Sequence, residues 1–140
     1  MKIRDYVNSD LAELVNVYNQ SREPVACFKS EDASADDIRA LTKNETIQVA
    51  EVDSQVIGFI SVWVPERFVH HLYVTPSHQN QGAAGCLIHA CRRRYGLPLS
   101  LKTLAANRSA CDFYERNNWV LAATGQGSEG AYHQYRLLEA

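Results

Sequence analysis

Leu72-Tyr73-Val74-Thr75-Pro76-Ser77-His78-Gln79-Asn80-Gln81-Gly82-Ala83-Ala84-Gly85 carries the end of a strand into the start of a helix through a loop of small and amide-bearing residues. Phe68 to Val74 reads as the strand, and Thr75-Pro76 ends it. Ser77 to Gly82 forms the loop, and a helix is expected from about Ala83 to Tyr95 with Leu87, Ile88 and Cys91 as its apolar stripe. Gly96 stops that helix, because glycine is favoured where the chain leaves a helix with positive φ. Glycine and alanine at the helix start remove side-chain bulk and let a ligand approach the main chain. The first N–H groups of a helix lack internal partners, and the helix dipole favours negative charge there. Such a junction suits a pyrophosphate. It also suits plain tight packing, and the loop alone leaves both readings open.

Outward from this segment the chain reads as one domain. Lys2 to Val7 is a first strand, and Asn8-Ser9-Asp10 offers N-cap chemistry for a helix through Leu11, Leu14, Val15 and Tyr18. Arg22 to Asp32, with Pro24, reads as a loop, and a short helix begins near Ser34 with Ile38 and Leu41 on its buried face. Thr46 to Val52 and Val56 to Val64 read as a hairpin turning at Asp53-Ser54, with Pro65-Glu66 as the breaker. Downstream come a strand over Leu99 to Leu104, a helix from about Ser109 to Arg116, and strands over Trp119 to Thr124 and Tyr132 to Leu138. The loop Gly125-Gln126-Gly127-Ser128-Glu129-Gly130 is expected between the last two. The order β-α-α-β-β-β-α-β-α-β-β describes an α/β (mixed α+β) domain over residues 1–140, without repeat or linker.

Composition narrows the function. The chain has 140 residues, the size of one domain able to build its own core. It is 46% hydrophobic and 21% charged, with net charge -2, and its pI is near 6.2. Neither nucleic acid nor an anionic membrane is an expected partner. No apolar run approaches the roughly 20 residues that span a bilayer, and the mixed charges of Met1 to Asp5 do not resemble a secretory signal. Cys27, Cys86, Cys91 and Cys111 lack metal-ligand spacing. They read as reduced, mostly buried thiols of a cytoplasmic protein without a bound metal, with Cys86 and Cys91 as helix packing. No Gly-x-x-x-x-Gly-Lys-Ser/Thr and no Gly-x-Gly-x-x-Gly is present, which argues against ATP and NAD.

Leu72-Tyr73-Val74-Thr75-Pro76 followed by Gln79-Asn80-Gln81-Gly82-Ala83-Ala84 resembles the signature of GNAT N-acetyltransferases, whose acetyl-CoA motif is Arg/Gln-x-x-Gly-x-Gly/Ala. Gln79, Gly82 and Ala84 match its fixed positions. Asn107 with Tyr114 seven residues later is similar to the second half of the family's pattern, and Asn118-Trp119 replaces its usual Gly-Phe. Asparagine tolerates left-handed φ, so the turn survives.

The resemblance implies a mostly antiparallel mixed sheet of six to seven strands flanked by about four helices. It also implies acetyl-CoA as cosubstrate and an N-acetyltransferase that moves the acetyl group to a primary amine of a small molecule or peptide. Main-chain groups of Leu72, Tyr73 and Val74 would pair with the pantetheine arm. The loop and helix start, from Gln79 through Gln81, Gly82, Ala83, Ala84 and Gly85, would hold the pyrophosphate. Asn107 would bond the pantetheine region, and Tyr114 would lie beside the sulfur. A non-catalytic acetyl-CoA-binding module on the same fold is the alternative. A third reading is a soluble partner of another protein that pairs through the outer sheet edge.

An ammonium of pKa about 10.4 must lose a proton before it attacks a thioester. The thioester oxygen needs a donor, expected from a main-chain N–H near Tyr73, and the thiolate benefits from a proton that Tyr114 could supply. His70 and His71 are the base candidates. Some GNAT enzymes acting on arylalkylamines resemble the chain at His70, which ranks it first, ahead of Glu66 or a water relay. Only one of the two adjacent histidines should face the cleft unless the strand bulges. Tyr132, His133 and Tyr135 read as packing residues before pocket residues, and Arg92–Arg94 as a solvated face before a phosphate contact. The acceptor pocket is expected from Glu23 to Glu31 and Gly125 to Gly130, where Glu23, Glu31, Asp32 and Glu129 hint at a cationic acceptor. The sequence leaves the oligomeric state open, with a homodimer as one option because dimers are the commonest oligomers.

Overall fold

The computed structural model describes residues 1–25 and 31–139. Cys27, and residues 26–30 of the loop expected over Arg22 to Asp32, lie outside the described residues. The elements run β1 (Lys2–Asp5), α1 (Leu11–Arg22), α2 (Ala35–Leu41), β2 (Thr46–Val52), β3 (Gln55–Trp63), β4 (Phe68–Val74), α3 (Ala83–Tyr95), β5 (Leu99–Leu104), α4 (Arg108–Arg116), β6 (Val120–Gly127) and β7 (Gly130–Leu137). The seven strands make one sheet in the order β1-β2-β3-β4-β5-β7-β6. Every neighbouring pair is antiparallel except β4 and β5, which α3 joins as a crossover. This is the mixed α/β single domain expected from the element order.

Both faces of the sheet are covered, which is why β3 is buried from Val56 to Val62. On one face α1 and α2 bring Leu14, Val17 and Ile38 against Val49, Val56 and Phe59. On the other, Leu87 and Cys91 of α3 and Cys111 and Tyr114 of α4 pack on Ile60, Leu99, Leu101 and Tyr135. Phe59 and Tyr135 are fully enclosed. Burying a side chain such as Phe59 contributes about 1.5–3 kcal/mol. Asp53 and Ser54 adopt positive φ (51° and 66°), as a two-residue hairpin turn demands. Among the described residues no helix is long and apolar enough to cross a membrane.

The Gly125 to Gly130 stretch departs from its expected loop. β6 runs on to Gly127 and β7 begins at Gly130, with Ser128 and Glu129 alone between them, and Gly125 pairs with Tyr132. A Cβ at Gly125 would fall 2.4 Å from the Tyr132 hydroxyl, so this glycine makes room for a cross-strand ring within a strand. Helix α1 also begins differently from its expected cap. The Asp10 carboxylate, buried where the chain turns into the helix, accepts the Val7 N–H at 2.9 Å and two Arg4 N–H bonds at 2.8 and 3.0 Å. Arg4 also reaches Glu51 on β2. The cluster thus ties the end of β1 to the base of α1.

The Arg4 bonds lower the Asp10 pKa below the usual carboxylate value, more than its burial raises it. A depressed carboxylate stabilises the fold above its unfolded pKa of about 3.9 and loses that contribution as pH falls through the folded value. Asp10→Asn is expected to destabilise the protein by about 1.5–3 kcal/mol at pH 7. It should also flatten the acid limb of stability below about pH 4, as read by urea melts across pH. Equal pH dependence in both proteins would show that Asp10 is not the linked group.

Candidate active site

Strands β4 and β5 share only two residue pairs, Phe68 with Ser100 and Val69 with Leu101, and then part. Thr75 donates its N–H to Ile57 of β3 at 2.9 Å. Because main-chain polar groups alternate sides along a strand, Tyr73 also faces β3, opposite Phe59 in the register, while Leu72 and Val74 face the gap. The Val74 carbonyl accepts bonds from Ser21 Oγ at 2.9 Å and Gln79 Nε2 at 3.0 Å. Gln79 therefore braces the loop against the strand it follows. By the same alternation the gap-facing donors nearest Tyr73 are the Leu72 and Val74 N–H groups, and the Tyr73 N–H itself faces β3.

At one mouth of the gap the loop folds into α3. Asn80 and Gly82 hold positive φ (63° and 87°), a conformation that a side chain at Gly82 would strain. The first bond within α3 is from the Cys86 N–H to the Gly82 carbonyl. The N–H groups of Ala83, Ala84 and Gly85 therefore precede the helical ladder. A Cβ at Gly82 or Gly85 would meet nothing within 4 Å, so the approach to these amides is open. The cavity here holds about 500 Å³, and Arg116 lines it together with Gln79, Gly82 to Gly85 and Tyr114. The Arg92–Arg94 run does not line it. Arg94 pairs with Asp5 at 2.6 Å and lies over the Tyr95 ring, as a solvated face would. Cys91 and Cys111 are buried, and burial pushes the Cys91 thiol up to about 12. Cys86 is exposed, contrary to its expected packing role, because it points away from the stripe of Leu87, Ile88 and Cys91.

At the other mouth a second cavity of about 340 Å³ is lined by Tyr18, Arg22, His70, His71, Lys102 and Tyr132, among others. Leu72, Tyr73, Asn107, Ala110 and Tyr114 line both cavities, so the two meet at the Tyr114 ring. Tyr114 is buried, edge-on to Trp119 at 5.5 Å, and burial raises its pKa well above the usual phenol value. Asn107 caps α4, its Oδ1 accepting the Ala110 N–H at 3.4 Å, which fixes its side chain at the junction. Tyr73 receives the Arg22 Nη1 at 2.9 Å, and Arg22 stacks on Tyr18 and pairs with Glu129 at 3.4 Å. Glu129 is thus neutralised by a cation in the same wall, so it does not by itself make this mouth acidic. Tyr135 and His133 do not line the cavity; Tyr135 is fully buried with its hydroxyl on Glu115.

Both histidines lie on the same side, because β4 bulges. Ser61 pairs with His71 and Val62 with Val69, which leaves His70 unopposed. The two rings stack at 4.0 Å. His70 Nδ1 lies 2.5 Å from Glu45 Oε2, and the other Glu45 oxygen accepts the Ser61 hydroxyl. Since a carboxylate only accepts, Nδ1 carries the proton and Nε2 the lone pair. His71 Nε2 donates to the Leu41 carbonyl at 3.3 Å. Burial, and next the charge of His70, lower the His71 pKa to about 4. Glu66 lies exposed in the turn before β4 and lines neither cavity. Glu45 is the residue that sequence reasoning missed: it stands 25 residues from His70, in a turn that carries no motif.

A cleft between parting parallel strands, with helix amides at one mouth and a histidine–carboxylate pair at the other, is organised for transfer between two ligands. The chain matches the family model of the acetyltransferase (GNAT) domain over residues 43–121. It belongs to that family, whose members transfer acetyl groups from acetyl-CoA. No curated protein matches it. Solved structures share the fold at low identity. A GCN5-related N-acetyltransferase from Rhodopseudomonas palustris is 20% identical with TM-score 0.84, covering 99% of this chain and 95% of that one. The PaiA N-acetyltransferase of Thermoplasma acidophilum, solved with coenzyme A, is 18% identical with TM-score 0.77, covering 95% and 96%. The ribosomal-protein-alanine N-acetyltransferase of Brucella melitensis is 19% identical with TM-score 0.74, covering 99% and 100%.

A folded pKa near 4 keeps His71 neutral in the range where enzymes are usually assayed. The unfolded ring, near 6.5, takes up a proton that the folded ring refuses, so this group's contribution is complete above about pH 6.5 and is lost progressively down to about pH 4. In an NMR titration the His71 ring resonances should stay fixed from pH 8 to about 5 and move only near pH 4. A midpoint near 6.5 would contradict the enclosure of the ring.

Proposed function

We propose that the protein transfers the acetyl group of acetyl-CoA to a primary amine of a small molecule or peptide by direct attack on the thioester. The observation that carries this reading is the meeting of the two cavities at Tyr114, beside strand groups without a ladder partner. The α3 amides of Ala83, Ala84 and Gly85 suit the pyrophosphate, with Gln81 and Gly82 shaping the loop and Arg116 supplying a cation to the same cavity. Leu72 and Val74 present main-chain groups to the pantetheine arm, and Asn107 stands at the junction.

His70 is the base. Its Nδ1–H on Glu45 fixes the tautomer and stabilises the imidazolium that forms when Nε2 takes the amine proton. Glu45 is a positioning residue, held in turn by Ser61. The free amine attacks the thioester carbon, and the Leu72 N–H supports the negative oxygen of the tetrahedral intermediate. Collapse breaks the carbon–sulfur bond and releases the coenzyme thiolate. A phenol with a raised pKa is a weaker acid than an ordinary thiol of about 8.5. Tyr114 therefore serves as a hydrogen-bond donor to the sulfur, and the amine's second proton neutralises the thiolate through solvent. No enzyme nucleophile is required.

The test is steady-state acetylation of an amine panel by the wild type and three variants. His70→Ala should lower kcat/KM by about 10²–10⁴-fold and abolish its acidic limb. Glu45→Gln should lower it less while moving that limb. Tyr114→Phe should lower kcat by roughly tenfold with little change in KM, the loss of a donor used in the transition state. Unchanged pH profiles in both His70→Ala and Glu45→Gln would remove them from the mechanism. Acetyl-CoA binding with no amine acetylated would leave a coenzyme-binding module.

A further inference from the structure

Glu45, His70 and His71 each offer one donor atom, and the three atoms lie within 4.8 Å of one another. We propose that this cluster is a binding site for a divalent transition cation, Zn²⁺ in particular, open toward the acceptor cavity. The donor set is one carboxylate oxygen and two imidazole nitrogens, a combination that suits zinc and its neighbours over magnesium or calcium. Zinc bonds of about 2.0–2.2 Å in a tetrahedron place donor atoms roughly 3.4 Å apart, so the cluster needs to rearrange by about an ångström. The His70 side chain, 44% exposed, has room for it.

The surroundings are those of a ligated site as well as of a base. Metal-binding imidazoles commonly donate their second ring N–H to a carbonyl or carboxylate, and ligating carboxylates are themselves hydrogen-bonded. His71 donates Nε2–H to the Leu41 carbonyl, which leaves the Nδ1 lone pair for a cation. Ser61 holds one Glu45 oxygen and leaves the other toward His70. The β4 bulge, which leaves His70 unopposed, is what sets adjacent strand residues side by side as two ligands. A cation between Glu45 and His70 binds Nδ1 as the proton there passes through solvent to Nε2, so the ring stays neutral and Nε2 is no longer free to accept a proton. It also leaves a coordination position toward the cavity, lined by His70 and His71, through which it enters. The sequence carries no metal-ligand spacing because the third donor comes from another element. The binding stands apart from the acetyl-transfer reading. One consequence rests on that reading: a bound cation occupies the base, so it should inhibit competitively with the amine and not with acetyl-CoA.

The test titrates tag-free, reduced full chain with zinc chloride by calorimetry, in the absence of acetyl-CoA. Cobalt chloride absorption provides a ligand signature. One saturable site is expected, weakened at least tenfold in both Glu45→Gln and His71→Ala and unchanged in His89→Ala, an exposed histidine of α3. The cobalt complex should show d–d bands without a thiolate charge-transfer band. Melting curves identify any variant that fails to fold, and the near-isosteric Glu45→Gln then decides. Absence of a saturable site, affinity that survives both ligand variants, or a thiolate band that moves the ligands to a cysteine would each overturn the proposal.

Discussion

Backbone N–H and C=O groups held away from a partner cost free energy unless water or a ligand satisfies them, and the parting of β4 and β5 makes such groups on purpose. After Val69 and Leu101 the two parallel strands leave the ladder, and the gap-facing groups of Leu72 and Val74 have no partner on β5. Everything around the gap serves to hold it open. Tyr114, rooted in α4 and packed on Trp119 and Tyr135, fills its floor. Ser21 from α1 and Gln79 from the following loop secure the Val74 carbonyl. The sheet continues on both sides, so the opening lies between two well-paired halves and not at a loose edge.

A second constraint acts within the same strand. One unopposed residue at His70 overrides the period of two that strands otherwise impose, and brings two imidazoles to one side. Their environments then diverge. His71 is enclosed against Tyr18 and the Leu41 carbonyl and stays neutral, whereas His70 reaches the cavity with a carboxylate behind it. The same pair, with Glu45, offers both a proton acceptor and a donor set for a cation. The choice between these states is set by what the solution contains.

Much of the fold was legible. Phe68–Val74, Ala83–Tyr95 and Leu99–Leu104 match their expected bounds because proline, glycine and a clear apolar stripe punctuate them. Asn118 takes the left-handed φ (71°) that its place after α4 suggested. The glycines of residues 125–130 misled, since a stretch read as a loop is a strand thinned to admit Tyr132. In the site, the loop and Tyr114 were singled out through their resemblance to the family's motifs at Gln79 to Ala84 and at Asn107 and Tyr114. Glu45, Ser61 and the Arg22–Tyr73 contact were not, because each joins elements far apart in sequence, and the bulge has no signature of its own.

The gap between β4 and β5 as the coenzyme site is the claim on which the rest depends, and equilibrium titration with acetyl-CoA tests it most directly. The account predicts one saturable site in the wild type, with binding lost when Ala84→Glu places a negative charge at the α3 amides and retained in His70→Ala. A folded protein that fails to bind acetyl-CoA, or that binds it equally well with Ala84→Glu, would contradict it.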